Sequence, residues 1–186
     1  MAETFQLVSR SAHVPACDLR FLSPESAQAV RRFHQSFPQY APTPLCRLTA
    51  TAREMGLADV CVKDESFRFG LNAFKVLGGS YAMGRELARR LNIVPEDMTF
   101  DLLRSPETRA RLGDLTFVTA TDGNHGRGVA WAASHFGFRS VVYMPRGSAQ
   151  ERLLNIRAEG AEASITDLNY DDAVRWAAAW PTSAAG

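Results

Sequence analysis

The sequence predicts an α/β chain in which a parallel sheet carries helices on both faces. From residue 115 onward, short β-branched apolar runs alternate with longer stretches of helical periodicity. Gly113, Gly137 and Gly160 stand where three of the helical stretches stop. The composition, 46% hydrophobic and 22% charged over 186 residues, is that of an ordinary globular protein and excludes a disordered or fibrous one.

Taken in order, residues 1–20 lack a basic segment followed by an apolar core, and no stretch approaches the roughly 20 apolar residues of a membrane span. Neither secretion nor membrane insertion is expected. Ser23 caps a helix with Pro24 at its first position, and Ala27, Val30, Phe33 and Phe37 follow at near-helical spacing until Pro38. Residues 38–44 hold Pro38, Pro42 and Pro44 and read as an extended connection. A short helix closing at Gly56 follows, then a strand over 58–62 that ends in Lys63-Asp64-Glu65-Ser66 and a loop over 67–71. Asn72 is expected to cap a helix from 73 to about 91, with Gly78-Gly79 open to another backbone or a flat ligand.

Residues 92–114 are irregular: Pro95, a short helix near Phe100, and a second helix opened by Ser105-Pro106-Glu107 and stopped by Gly113. They are expected to link a unit over 1–91 to a smaller βαβ unit over 115–186. The second unit reads as strand 115–119, helix 124–136, strand 140–144, helix 148–159, strand 163–166 and helix 170–179, with capping-box spacing at Ser148/Glu151 and Asn169/Asp172. Three parallel strands are few for a doubly wound domain, so a truncated chain is expected.

Lysine plus arginine number 21 against 20 acidic residues, so there is no net field for nucleic acid or an anionic membrane. Cys17, Cys46 and Cys61 form no CxxC pair, which argues against a disulfide framework or a thiolate zinc site and for a cytoplasmic location. His13, His34 and His135 have no ligand-like spacing, and no metal is expected. Trp131, Phe136, Trp176 and Trp180 fall on apolar helix faces and are expected in the core.

Two stretches carry the chemistry. Lys63 and Lys75 are the only lysines among the 21 basic residues, and an amine can form a Schiff base where a guanidinium cannot. Lys75 falls in a first helical turn beside Phe74, where the helix dipole and an apolar setting both favour a neutral, nucleophilic amine. An ordinary amphipathic helix with a snorkelling lysine would read the same way. The second stretch, Thr119-Ala120-Thr121-Asp122-Gly123-Asn124-His125-Gly126-Arg127-Gly128, joins a strand to a helix and offers backbone N–H groups and hydroxyls to an anion. A plain βα turn is the alternative, and the glycine spacing is not that of a dinucleotide site. Asp122 beside such a turn suits a ligand that also carries a positive charge, or a general base. His125 could donate a hydrogen bond or simply pack.

Together the two stretches resemble the fold-type II pyridoxal-phosphate enzymes, the tryptophan synthase β-like family, and more narrowly the diaminopropionate ammonia-lyases. The similarity continues through Tyr143-Met144-Pro145 to Tyr170-Asp171-Asp172. The resemblance implies pyridoxal 5′-phosphate as cofactor, Lys75 as the Schiff-base lysine, Phe74 beside the cofactor ring and Asn124 on its phenolic oxygen. It implies that Thr121, Asp122, Gly123, Asn124 and His125 receive a small amino-acid substrate. Asp122 is implied as the base for the D-isomer and Lys75 for the L-isomer. The implied reaction removes the Cα proton and the β-amino group of 2,3-diaminopropionate and ends at pyruvate and ammonia, in amino-acid catabolism, in a homodimer when the chain is full length. Members of the family are about twice this length, and the glycine-rich phosphate loop is not found here. The 186 residues alone are therefore expected to be weak or inactive. Serine or threonine dehydration, a non-catalytic βαβ ligand-binding remnant and a nucleotide-binding module are the competing readings.

Overall fold

Helix caps and aromatic packing set the architecture of the computed structural model, which describes residues 19–180. His13 and Cys17 lie outside the described residues. Helix α1 (Pro24–Gln35) starts as expected, with the Ser23 hydroxyl accepting from the Ser26 N–H at 3.2 Å and Pro24 at the first position. Strand β1 (Leu45–Arg47) follows, then α2 (Thr49–Glu54) and β2 (Cys61–Lys63). β1 and β2 form a small antiparallel sheet, Leu45 opposite Lys63 and Arg47 opposite Cys61. The proline-dense connection thus ends in a strand that the sequence pattern does not announce, because Pro44 immediately precedes it. Cys46 and Cys61 are exposed and unpaired, at adjacent register positions whose side chains leave opposite faces.

Helix α3 runs Lys75–Leu91 and begins two residues later than the capping reading of Asn72 requires. Asn72 instead takes a left-handed conformation, φ 56°, and Phe74 stands at the cap position without a side-chain hydrogen bond. Helices α4 (Phe100–Leu103) and α5 (Pro106–Leu112) come next, the second capped by Ser105. They correct the expectation of a linker. Met98, Phe100 and Leu103 are buried in the same cluster as Phe33 and Phe37 of the α1 region, Leu87 of α3, and Trp131 and Phe136 further on. Phe37 lies at the centre of this cluster, its ring 4.6 Å from Phe100 and 5.8 Å from Phe136.

The parallel sheet is β3 (Thr116–Ala120), β4 (Arg139–Met144) and β5 (Glu162–Ile165), in that spatial order. Its crossovers are α6 (Asn124–Phe136) and α7 (Gln150–Ala158), and α8 (Tyr170–Ala178) follows β5. Val142 and Met144 pack with Ala130, Leu153 and Ile156 of α6 and α7, whereas Tyr143 between them points the other way, against Trp176 and Trp180. Helices therefore cover both faces. Trp131 and Phe136 are core residues as expected, but Trp176 and Trp180 stay largely exposed beyond their contact with Tyr143. The Asn169 cap of α8 forms on the Asp172 N–H at 2.9 Å. The one expected at Ser148 does not: α7 starts at Gln150 and the Ser148 hydroxyl donates to the Pro145 carbonyl.

A close backbone approach sits where α3 and α6 begin. A Cβ on Gly128 would lie 2.9 Å from Val76 Cα and 3.0 Å from Val76 N, both main-chain atoms that cannot rotate away. A Cβ on Gly79 would stand 3.6 Å from Val129 Cγ2, while Gly78 has open space around it, so only one of the two paired glycines lies at this contact. Gly128→Ala is expected to lower stability by about 1–3 kcal/mol through overpacking, read as a lower urea midpoint with native helical content.

Candidate functional site

The loop that delivers Lys75 is built on a buried polar network. Arg68 is 7% exposed and binds Glu65 through two donors, Nε at 2.8 Å and a terminal nitrogen at 3.0 Å. It also donates to the Ala41 carbonyl and the Thr43 hydroxyl, and Thr43 in turn donates to Glu65 at 2.5 Å. Hydrogen bonding from Arg68 holds the Glu65 carboxyl below its ordinary range, against the opposing effect of burial. Lys63 belongs to the same scaffold, donating to the Thr43 carbonyl. The next residue, Phe69, has φ 50°, a left-handed conformation that costs an L-residue about 1–2 kcal/mol. Stacking on Trp131 at 4.9 Å and contact with Phe37 at 5.7 Å offset that cost. Leu71 is then buried, Asn72 turns the chain, and Lys75 emerges as the first residue of α3.

No described residue accepts a hydrogen bond from Lys75 or forms an ion pair with it, so of the two lysines only Lys75 is uncommitted. Phe74 is 60% exposed and Lys75 lies on the surface, which corrects the expectation that Phe74 desolvates the amine. This chain presents both as an open face.

The second stretch turns from β3 into α6. The Thr121 N–H extends the sheet ladder to the Tyr143 carbonyl, and its buried hydroxyl accepts from the N–H groups of Gly123, 3.2 Å, and Gly126, 3.3 Å. Thr121 therefore shapes the turn from beneath, and its side chain is not placed to meet a substrate. A Cβ on Gly126 would stand 2.2 Å from Thr121 Cγ2. The N–H groups of Asn124 and His125, at the start of α6, find no acceptor among the described residues, and the side chains of Asp122, Asn124 and His125 are exposed.

The two stretches meet. Burial lowers the His125 imidazole pKa below its ordinary value, and the charge of Lys75 lowers it further. That coupling follows from the Gly128–Val76 contact, one residue from Lys75. Arg127, which sequence reading passed over, fastens the pair: it donates to the Leu71 carbonyl at 3.3 Å and forms a half-buried ion pair with Glu159 at 2.8 Å. Arg152 of α7 does the same for the turn, donating to the Asp122 carbonyl at 3.0 Å. Nothing but their place beside the motif distinguishes these two among so many arginines. A larger hollow of about 390 Å³, lined by His34, Tyr40, Arg68 and Leu77 among others, lies behind the lysine loop and exposes none of the candidate reactive groups. The candidate reactive groups lie on the open face.

Residues 37–183 match the family model described as pyridoxal-phosphate dependent enzyme. The chain belongs to that family. An uncommitted lysine at a helix start, facing a turn of small residues with free N–H groups, fits the needs of the family's cofactor. Among the relatives of this pyridoxal-phosphate enzyme chain is diaminopropionate ammonia-lyase of Salmonella typhimurium, 54% identical over 159 residues, covering 86% of this chain and 39% of the relative. Two crystal structures of the Escherichia coli diaminopropionate ammonia lyase are similar. The complex with D-serine gives a TM-score of 0.79 at 48% identity, covering 86% of this chain and 40% of that one. The complex with an aminoacrylate-PLP azomethine reaction intermediate gives 0.76 at 47%, covering 86% and 39%. The chain thus spans about two fifths of the length of the relatives it matches.

The Lys75–His125 coupling is open to direct measurement. Folding depresses the His125 midpoint, so protonation favours the unfolded chain and this contribution lowers stability as pH falls below about 6.5. An NMR titration is expected to place the His125 midpoint below 6.5, and Lys75→Met to raise it part of the way back, burial supplying the remainder.

Proposed function

We propose that the protein carrying this chain is a diaminopropionate ammonia-lyase, acting on 2,3-diaminopropionate with pyridoxal phosphate to give pyruvate and ammonia. The observation that supports it most is the juxtaposition of an uncommitted Lys75 with the Asp122–His125 turn, held by the Gly128–Val76 contact. Similarity to the lyases over most of the chain supports the substrate class.

When bound, the cofactor supplies an electron sink for the pair left as the Cα proton departs. Lys75 is the amine that would hold the cofactor's carbonyl, since Lys63 is engaged with Thr43. Phe74 offers an exposed ring beside it, and the Asn124 side chain an amide donor. The N–H groups of Asn124 and His125 would receive the substrate carboxylate. Asp122 accepts a proton at Cα from one face and tolerates the substrate's second ammonium, which a neutral residue there would not recognise as well. Removal of the Cα proton from the other face, that of the L-isomer, falls to Lys75. By the same reading the protein is a cytoplasmic homodimer of amino-acid catabolism; the unpaired, exposed Cys46 and Cys61 accord with a reducing compartment.

Borohydride reduction in the presence of pyridoxal phosphate, followed by peptide mapping, is expected to label Lys75, with Lys63→Ala still labelled and Lys75→Ala not. In the active holoenzyme, Asp122→Asn is expected to slow pyruvate formation from D-diaminopropionate by about 10²–10⁴-fold and from the L-isomer far less. Turnover of L-threonine with none of either diaminopropionate isomer would replace this reading with a dehydratase.

A further inference from the structure

We propose that Arg152 is a positioning residue for Asp122, a brace from α7 that sets the direction in which the carboxylate faces. The inference rests on the reading of Asp122 as a proton acceptor. One side chain makes two contacts with the turn and lies over its glycine. Its terminal nitrogen donates to the Asp122 carbonyl at 3.0 Å and lies 3.9 Å from the Asp122 carboxylate, and its Cδ lies 3.3 Å from where a Gly123 Cβ would stand. Together these contacts fix the Asp122–Gly123 peptide and bias the carboxylate toward the same guanidinium.

The remaining bonds in the turn do not reach Asp122. Thr121 takes the N–H groups of Gly123 and Gly126, and Arg127 is committed to Leu71 and Glu159. Orientation at position 122 is thus left to Arg152. The Arg152 side chain has no other hydrogen bond or ion pair among the described residues, and both partners are more than half exposed. An exposed pair of this kind contributes little to folding. Its removal is expected to act on chemistry and not on stability. Both contacts come from one terminal nitrogen, which the rigid planar guanidinium carries, whereas a lysine ammonium is a point charge on a flexible stem.

The test measures kcat and KM of the holoenzyme with D- and L-diaminopropionate for Arg152→Ala and Arg152→Lys, alone and combined with Asp122→Asn. Arg152→Ala is expected to lower kcat for the Asp122-dependent isomer by about 10–100-fold, the scale of a small misplacement of a reacting group. KM and the urea midpoint should change little, Arg152→Lys should recover part of the loss, and Arg152→Ala should have no further effect once Asp122 is Asn. Unchanged kcat, equal losses for both isomers, or additive losses in the double variant would overturn the proposal. If the wild-type protein makes no pyruvate from either isomer, the lyase reading fails and not the brace. The brace is then decided by amide relaxation at Asp122 and Gly123: greater mobility in Arg152→Ala supports it, and unaltered order parameters reject it.

Discussion

The placing of the two candidate stretches depends on two helix beginnings being allowed to touch. At Gly128 the main chain of α6 comes within contact distance of the main chain of α3 at Val76, and no side chain could be inserted between them. The contact lies one residue from Lys75 and three from His125, so small shifts there translate directly into separation of the amine from the turn. Arg127 makes the approach rigid from a second direction, tying Leu71 ahead of α3 to Glu159 at the end of α7. The aromatic cluster around Phe37 and Trp131 fixes the rest of the lysine loop.

The second half of the chain was largely legible because its signals are local. Strand and helix alternate with the right periodicities, Gly137 ends α6, and Asn169 caps α8, so each boundary is written within a few residues. The first half was less so, because tertiary contacts override local preference there. Asn72 has the chemistry of a cap, yet the anchoring of Phe69 on Trp131 turns the chain before a cap can form. Likewise residues 92–114 carry a linker's irregular pattern, while Met98, Phe100 and Leu103 are swallowed by a core that also draws on α1, α3 and α6.

Site residues divide along the same line. Lys75 and Asp122 stand out by residue type in their motifs, and the structure brings their segments together. Thr121 has the same polar character but spends its hydroxyl on backbone N–H groups, a use that depends on the folded path of the turn. Arg127 and Arg152 were invisible for the opposite reason: in a chain that uses arginine almost everywhere for positive charge, the type carries no information until its partners are known.

The lysine loop's polar network, centred on buried Arg68 and Thr43, also separates durability from reactivity. Glu65, Arg68, Thr43 and Lys63 bind one another, while Lys75, Asp122, Asn124 and His125 project from the frame they hold. Positions of the second kind carry little of the folding energy, so an ancestral sequence could exchange the residue at 122 without first acquiring a compensating change elsewhere. Single substitutions on that face are then expected to leave a folded protein for selection to act upon.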